Sequence, residues 1–258
     1  MSTFLFDKIV FGPVQSRRLG VSLGINLLPP DGKVCTFDCI YCECGWTDKG
    51  DKVGILPKQE DVISKLESVL TERMQNNLPI DAITFAGNGE PTMHPKFAEI
   101  IDQTIKLKQR FYPNARISVL SNATLITKPK VFNALLKVDD NILKLDSAVE
   151  ETIRKINCPL GNFHLPELME GLKRFDGNLV IQTMFIRGEY DGQKIDNTTE
   201  EEILRWLDAL SVIRPKQVMV YSIARDTAAE NIEKVPLKEL ETIANRVKAL
   251  GIDVQVSG

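Results

Sequence analysis

The 258-residue sequence predicts an α/β fold in which parallel strands form a partial (β/α)6 TIM-like barrel. Apolar, β-branched runs alternate with amphipathic stretches along the whole chain. The runs are apolar at successive positions rather than at every second one, which is typical of strands buried on both faces of a parallel sheet. About six strand–helix pairs can be counted, and they fit a full or partial barrel; a doubly wound open sheet is the alternative.

The predicted elements follow one another in a regular order. Strands are predicted at 21–28, 82–87, 116–121, 141–147, 178–186, 217–223 and 253–256. Helices are predicted, from the helical spacing of apolar residues, at 62–74, 95–111, 128–137, 149–156, 166–175, 200–213 and 237–250. Thr199 is the expected N-cap of the helix at 200–213, with Glu202 as its capping-box partner. In either fold, chemistry is expected at the carboxyl ends of the strands.

Composition indicates an ordinary globular protein. With 43% hydrophobic and 26% charged residues and no repeat or linker, a single domain is expected, with residues 1–17 as a lead-in and 18–258 as the barrel. The net charge of −3 argues weakly against a dedicated nucleic-acid binder. A signal-peptide pattern and a membrane-length apolar run are lacking, so we expect a cytoplasmic protein without membrane association. Its five cysteines then indicate metal binding or reactivity rather than disulfides.

Three of the cysteines lie within eight residues. Cys35, Cys39 and Cys42 have the spacing C-x3-C-x2-C. Structural zinc normally takes four ligands, often as two cysteine pairs, and the sequence offers no second pair unless Cys44 contributes. Three thiolates are sufficient for a [4Fe–4S] cluster whose fourth iron binds something else. A metal-binding module without catalysis and a thiol-based redox protein using Cys42 and Cys44 are the alternatives.

The segment CTFDCIYC resembles the radical S-adenosylmethionine (radical SAM) enzymes, in which C-x3-C-x-Φ-C, with Φ aromatic, follows the first strand of a (β/α)6 partial barrel. The resemblance implies a [4Fe–4S] cluster on Cys35, Cys39 and Cys42, with Tyr41 against the adenine of S-adenosylmethionine (SAM). It also implies an Fe–S oxidoreductase in which SAM chelates the open iron. Electron transfer then releases a 5′-deoxyadenosyl radical that abstracts hydrogen from the substrate. A flavodoxin or ferredoxin is the implied one-electron donor.

The second predicted strand ends in Gly87-Asn88-Gly89-Glu90. Two glycines at a strand end permit positive φ and close approach of a ligand to the backbone. A tight turn with Glu90 near the start of the next helix is the alternative. The resemblance implies that this segment binds the methionine amino group of SAM.

Polar residues at three further strand ends are implied by the same resemblance to bind the SAM carboxylate and ribose. They are Ser121, Asn122, Ser147 and Gln182. Capping of the following helices is the alternative for Ser121, Asn122 and Ser147.

The segments at 12–26 and 87–95 are similar to those of radical SAM proteins related to the wyosine-base enzymes of tRNA modification. This likeness implies RNA as a macromolecular substrate. Modification of a protein or peptide, including generation of a radical on a partner enzyme, is the alternative. The wyosine enzymes hold a second cluster through upstream cysteines. No cysteine precedes Cys35, so a second cluster is not expected.

Polar groups near the predicted active face supply the candidate catalytic residues. They are Arg17, Arg18, Cys44, Arg187 and Arg225. An arginine can grip a phosphate or carboxylate of the substrate, and surface ion pairs are the alternative. Cys158 is expected to pack as a small hydrophobe, and His94 and His164 are expected to be structural.

Overall fold

The computed structural model describes residues 4–16, 19–47 and 54–258. The first half of the chain forms β1 (Val10–Ser16), β2 (Gly20–Ile25), α1 (Gln59–Gln75), β3 (Ala82–Phe85), α2 (Phe97–Phe111), β4 (Arg116–Ser121), α3 (Pro129–Leu135) and β5 (Asp140–Lys144). The second half forms α4 (Glu150–Asn157), α5 (Leu165–Lys173), β6 (Val180–Met184), β7 (Ile186–Tyr190), β8 (Gln193–Asp196), α6 (Glu200–Ile213), β9 (Gln217–Tyr221), β10 (Ile232–Lys234), α7 (Leu237–Ala249) and β11 (Asp253–Ser257). None of these helices is long and apolar enough to cross a bilayer.

Eight strands form one sheet in the order β1-β2-β3-β4-β5-β6-β9-β11. The strands from β2 to β11 are parallel to their neighbours, and β1 is antiparallel to β2. Helices connect the successive parallel strands, so the predicted partial (β/α)6 barrel is confirmed. Parallel strands place all their carboxyl ends at one edge of the sheet, and this edge carries the candidate site.

The two faces of the sheet bury different side chains. On the outer face, Ile181 and Trp206 belong to the main core between sheet and helices, where Trp206 Nε1 donates to Thr183 Oγ1 at 3.1 Å. On the inner face, Val180 belongs to a small separate cluster with Ile142 and Met219. Burying one large apolar side chain contributes about 1.5–3 kcal/mol, so the outer core supplies most of the stability.

A second, antiparallel sheet of order β10-β7-β8 was not predicted. The predicted strand at 178–186 divides at Phe185, whose N–H donates to the Tyr221 carbonyl at 2.8 Å while the chain turns from β6 into β7. At the end of β7, the Tyr190 ring stacks on Trp46 with a centroid distance of 5.7 Å. Strand β1 was also not predicted, because most of its residues are exposed and give no apolar run.

The start of α6 confirms one capping prediction and corrects another. Thr199 is the N-cap, and its hydroxyl accepts from the Glu202 N–H at 3.4 Å. The predicted capping box is wrong, because the Glu202 carboxylate accepts from the hydroxyls of Ser147 and Thr152 instead. A carboxylate at this position thus links α6 to the end of β5 and to α4.

Asn141 is a buried amide to which the described residues offer no hydrogen-bond partner. Asn141 in β5 is 1% exposed, and neither its Nδ2 nor its Oδ1 finds a hydrogen bond within the part of the chain that the structure describes. A buried polar group without a partner costs about 1–3 kcal/mol.

We expect Asn141→Leu, which keeps the branched shape of the side chain, to raise the free energy of unfolding by about 1 kcal/mol. The midpoint of urea unfolding measures the change. Asn197→Leu is the matched control, because Asn197 is equally buried but bonds to Ile186 N, Asp146 O and Met184 O. That control should lose about 2 kcal/mol or more. A lower midpoint for Asn141→Leu would contradict the prediction.

Candidate functional site

The cysteine loop after β2 is fixed by backbone hydrogen bonds along both of its sides. On one side, the Val34 N–H donates to the Asn88 carbonyl and the Glu90 N–H donates to the Val34 carbonyl, both at 2.9 Å. On the other side, the loop bonds to the end of α4 and to residue 229. These bonds are Asp38 N to Cys158 O (3.1 Å), Ile40 N to Ile156 O (3.0 Å), Leu160 N to Thr36 O (2.8 Å) and Ala229 N to Ile40 O (2.8 Å). The loop therefore has a defined path over the strand ends.

Cys35, Cys39 and Cys42 are free thiols in this loop. Asn122 Nδ2 donates to Cys35 Sγ at 3.4 Å, and Asn157 Nδ2 donates to Cys39 Sγ at 3.3 Å. The main-chain N–H at position 37 donates to Cys35 Sγ as well, at 3.4 Å. Across residues 4–16, 19–47 and 54–258, no group of three or more His, Cys, Asp or Glu side chains is arranged to hold a metal ion.

The environment separates the pKa values of the thiols. Burial raises the pKa of Cys35 to about 12 and also raises that of Cys39. The neighbouring Cys44 thiol and attraction to Lys33 lower the pKa of Cys42 to about 6, against the effect of burial. Burial opposes the charge of Lys33, but attraction to the three thiols outweighs burial and raises its pKa.

Gly89 lets the cysteine loop approach the end of β3. Its φ is +132°, and a Cβ at this position would lie 1.8 Å from the Val34 carbonyl oxygen. The positive φ expected of this glycine is thus found. The group that approaches it is the backbone of the cysteine loop.

The neighbouring Gly87 and Asn88 pack against the start of the chain. A Cβ on Gly87 would lie 2.6 Å from Asn26 Oδ1. Asn88 Nδ2 donates to the carbonyls of Phe6 (2.9 Å) and Pro29 (2.8 Å), and its Oδ1 accepts from the Phe6 N–H at 2.8 Å. The Asn88 side chain is therefore occupied by structural hydrogen bonds.

Glu90 is fully buried and joins the ends of β3 and β4. Its Oε1 accepts from Thr92 N at 3.0 Å and from Ser121 Oγ at 2.9 Å, and its Oε2 accepts from Asn122 N at 2.6 Å. Burial raises the pKa of Glu90, although these bonds oppose the shift. The side chain caps the short 3-10 turn Pro91–Met93, as the alternative interpretation expected.

A buried polar cluster lies between the cysteine loop and the end of β5. The Tyr41 hydroxyl donates to Asp146 Oδ2 and accepts from Lys144 Nζ at 2.6 Å. Asn157 Nδ2 also donates to Asp146 Oδ2, at 2.6 Å, and Lys144 Nζ lies 3.6 Å from that oxygen. Burial opposes the charge of Lys144, but attraction to Asp146 outweighs it and raises its pKa.

Lys144 and Asn157 were not among the predicted site residues. For Lys144 a signal exists, since a charged side chain interrupts the otherwise apolar strand NILKL. Asn157 lies at the end of α4, 118 residues from the cysteine that it contacts, and local sequence gives no signal of that contact.

Ser147 and Gln182 have different environments. Ser147 Oγ donates to Glu202 at 2.6 Å and accepts from Val149 N at 2.8 Å. These bonds place Ser147 in the turn that leads into α4. Gln182 is 7% exposed, and its side chain has no hydrogen bond to any described residue. It lies two positions from Val180 on the inner face, paired in register with Lys144.

The candidate catalytic residues are distributed unevenly. Arg17 and Arg18 lie outside the described residues. Arg187 pairs with Glu239, and Arg225 Nη1 lies 2.7 Å from a Glu43 carboxylate oxygen, so both arginines form the ion pairs that were the alternative. Cys44 lies within the site, where its thiol donates to the Gly87 carbonyl at 3.4 Å.

We expect Gly89→Ala to destabilise the protein by about 3 kcal/mol or more, because the new Cβ would collide with backbone that cannot swing away. Thermal unfolding followed by circular dichroism provides the measurement. Gly161→Ala is the matched control: its φ is +117° but nothing lies within 4 Å of the added Cβ, so only the backbone strain of about 1–2 kcal/mol remains. Equal losses in both variants would contradict the importance of the contact with Val34.

Comparison with known proteins identifies relatives along most of the chain. The radical SAM superfamily domain matches residues 30–196. A UPF0026 protein of Helicobacter pylori is 36% identical over 189 residues, which cover 71% of this chain and 58% of the relative. The chain thus spans less than two thirds of that relative's length. A UPF0026 protein of Methanocaldococcus jannaschii is 30% identical over 258 residues, covering 94% of this chain and 75% of the relative.

Solved structures share the fold at low sequence identity. A radical SAM methyltransferase from Sphaerobacter thermophilus has a TM-score of 0.68 at 12% identity, covering 92% of this chain and 65% of that one. TYW1 with a lysine-pyruvate adduct bound has a TM-score of 0.63 at 17% identity, covering 88% and 73%. Streptococcus suis SuiB bound to the precursor peptide SuiA has a TM-score of 0.63 at 15% identity, covering 88% and 47%. With the cysteine loop at the carboxyl edge of a partial barrel and a family match over more than half of its residues, this chain belongs to the radical SAM superfamily of enzymes.

Proposed function

We propose that the chain holds a [4Fe–4S] cluster through Cys35, Cys39 and Cys42 and cleaves SAM reductively in order to modify a macromolecular substrate by hydrogen abstraction. The main support is that three free thiols lie in one loop whose path is fixed by backbone hydrogen bonds. The side-chain amides of Asn122 and Asn157 donate hydrogen bonds to two of these sulfur atoms. Hydrogen bonds to cysteine sulfur tune iron–sulfur clusters, and three thiolates leave one iron open for another ligand. The chemistry of the three thiols, and not a preformed metal-binding arrangement within the described residues, supports this group.

When bound, the cluster supplies the electron that breaks the sulfonium C–S bond of SAM and yields a 5′-deoxyadenosyl radical. The protein's own residues hold and orient the thiols. Asn122 joins Cys35 to Thr36, because its Nδ2 also donates to Thr36 Oγ1 at 2.8 Å. Asn157 joins Cys39 to the Tyr41–Asp146 pair. Both amides resist rotation of the side chains that carry the thiols.

The methionine amino group of SAM is proposed to bind backbone carbonyls of Gly87-Asn88-Gly89-Glu90. The Glu90 carboxylate accepts hydrogen bonds from Thr92, Ser121 and Asn122. The Asn88 amide bonds to Phe6 and Pro29, so both side chains already have structural partners. The Gly87 carbonyl meets the thiol of Cys44, which supports access to this oxygen from the cysteine loop.

The ribose or carboxylate of SAM is proposed to bind at the ends of β5 and β6. A buried amide such as that of Gln182 needs a partner, and a ligand in the inner face of the sheet can supply one. Lys144 lies beside Gln182 in register and carries a positive charge. Tyr41 is 6% exposed and anchored through its hydroxyl, which supports a fixed position against the adenine. Ser121 and Ser147 support this region through Glu90 and Glu202.

RNA is the proposed substrate class, in the cytoplasm, with a flavodoxin or ferredoxin as electron donor. The fold shared with TYW1 and the sequence likeness to the wyosine-related proteins support RNA. A peptide or protein substrate is the second candidate, because SuiB, which shares the fold, was solved with its precursor peptide.

The proposal predicts about four irons per chain after anaerobic reconstitution, as one [4Fe–4S] cluster requires, and 5′-deoxyadenosine release on reduction with SAM. Cys39→Ala should lose both, since two thiolates cannot hold the cluster. Cys158→Ser is the matched control, because it also removes a half-buried free thiol. This variant should keep the iron and the release of 5′-deoxyadenosine. A zinc-loaded protein, or a cluster-loaded one that leaves SAM intact even with cell extract, would refute the proposal.

The same assay separates the substrate classes. We expect cell extract to stimulate 5′-deoxyadenosine release, and ribonuclease treatment of the extract to abolish the stimulation. Stimulation that survives ribonuclease but not protease would instead establish a peptide or protein substrate.

A further inference from the structure

Asn157 is a buried amide at the end of α4. The residue is 1% exposed and is the last one of the helix. Three groups surround its side-chain nitrogen Nδ2, namely Asp146 Oδ2 at 2.6 Å, Cys39 Sγ at 3.3 Å and the Tyr41 hydroxyl at 3.3 Å. One amide group therefore contacts a loop thiol and the polar cluster at the end of β5 at the same time.

Asp146 determines which end of the amide faces the sulfur atom. A carboxylate accepts hydrogen bonds, so an amide oxygen placed 2.6 Å from it would bring two acceptors into contact. The Asp146 side chain is 0% exposed, and its Oδ1 accepts from Met184 N at 2.8 Å, which holds the carboxylate in place from its other side. The NH2 end of Asn157 consequently faces Asp146 and, with it, Cys39.

The amide nitrogen has two hydrogens to distribute among its three neighbours. The contact with Asp146 is the shortest and takes one of them. Cys39 Sγ and the Tyr41 hydroxyl compete for the other, but that hydroxyl already accepts from Lys144 Nζ at 2.6 Å. A hydrogen bond to an ionised acceptor is roughly twice as strong as one between neutral groups, so a Cys39 thiolate attracts the second hydrogen.

Asn122 is the corresponding donor to Cys35, but other contacts would compensate for its loss. Asn122 Nδ2 lies nearer to Thr36 Oγ1 (2.8 Å) than to Cys35 Sγ (3.4 Å). Cys35 Sγ also accepts a main-chain N–H, from position 37, at 3.4 Å. Removal of the Asn157 amide therefore isolates the effect of one side-chain donor better than removal of the Asn122 amide.

We propose that Asn157 is a positioning residue whose amide, oriented by Asp146, donates to the Cys39 thiolate and so favours the reduced state of a cluster held by the loop. The inference rests on the proposed function. The external one-electron donor is oxidised by one electron, the thiolate-held group is reduced by one, and no covalent bond forms or breaks. Hydrogen bonds to the sulfur atoms are among the factors that set the potential of an iron–sulfur cluster. Reduction makes the sulfur atoms more negative, and the Asn157 donor stabilises the more negative state more.

The test is a redox titration of the cluster-loaded full-length protein without SAM, followed by electron paramagnetic resonance. Asn157→Leu has a side chain of similar shape and no donor. In this variant the ratio of reduced to oxidised cluster at a fixed potential should fall about tenfold, which lowers the midpoint potential by about 59 mV for one electron. The control Asn197→Leu removes an equally buried amide that bonds to backbone atoms of Asp146, Met184 and Ile186, and it should leave the potential unchanged.

The midpoint potential separates a hydrogen bond to sulfur from simple support of the loop. An unchanged potential in Asn157→Leu at wild-type iron content would overturn the inference, as would an equal shift in Asn197→Leu. Should Asn157→Leu fail to bind iron, Asn157→Asp decides, because it keeps the shape of the side chain but replaces the donor by an acceptor. A lower potential in Asn157→Asp supports the inference, and an equal or higher one overturns it.

Cluster loss in both variants of Asn157 would assign this residue a structural role and overturn the inference too. A wild-type protein that holds no [4Fe–4S] cluster would instead refute the proposed function.

Discussion

The short parallel bridge between Val34 and Gly89 is the contact on which the candidate site depends. It joins the entry of the cysteine loop to the end of β3 through backbone atoms alone, and it exists because a glycine without Cβ accepts a φ of +132° there. From this fixed point the loop crosses the strand ends to α4, where further backbone bonds hold it. The barrel thus determines where the thiols lie, and the loop's own sequence determines what they can bind.

The buried charges at the site are held by hydrogen bonds or by ion pairs. The Glu90 carboxylate, at the end of β3, accepts hydrogen bonds from the end of β4 and so connects the two strands. The carboxylates of Asp38 and Asp146 each form an ion pair with a buried lysine, Lys33 and Lys144 respectively. Burial of an ion is costly unless it is paired and hydrogen-bonded, which explains why these residues form networks and not isolated charges.

Much of the fold and of the cysteine site could be predicted from the sequence, because both depend on local patterns. Apolar strands alternating with helices predict a parallel sheet, and C-x3-C-x2-C is a short motif. The structural hydrogen bonds of the Asn88 side chain escaped prediction, since one partner, Phe6, lies 82 residues away. Strands β7, β8 and β10 escaped it as well, because β7 continues an apolar run and its partners are largely exposed. Contacts of this kind depend on three-dimensional neighbours that periodicity does not encode.

Strands β7 and β8 of the small sheet lie between β6 and β9 in the chain, and β10 follows β9. The barrel strands β6, β9 and β11 nevertheless pair directly with one another. Because β6 and β9 pair directly, the register between them does not depend on the length or sequence of the segment that lies between them in the chain. The insert nevertheless reaches the cysteine loop, through the stacked rings of Tyr190 and Trp46. The length and sequence of this insert can therefore change the surroundings of the site without altering the pairing of the strands that carry the cysteine loop.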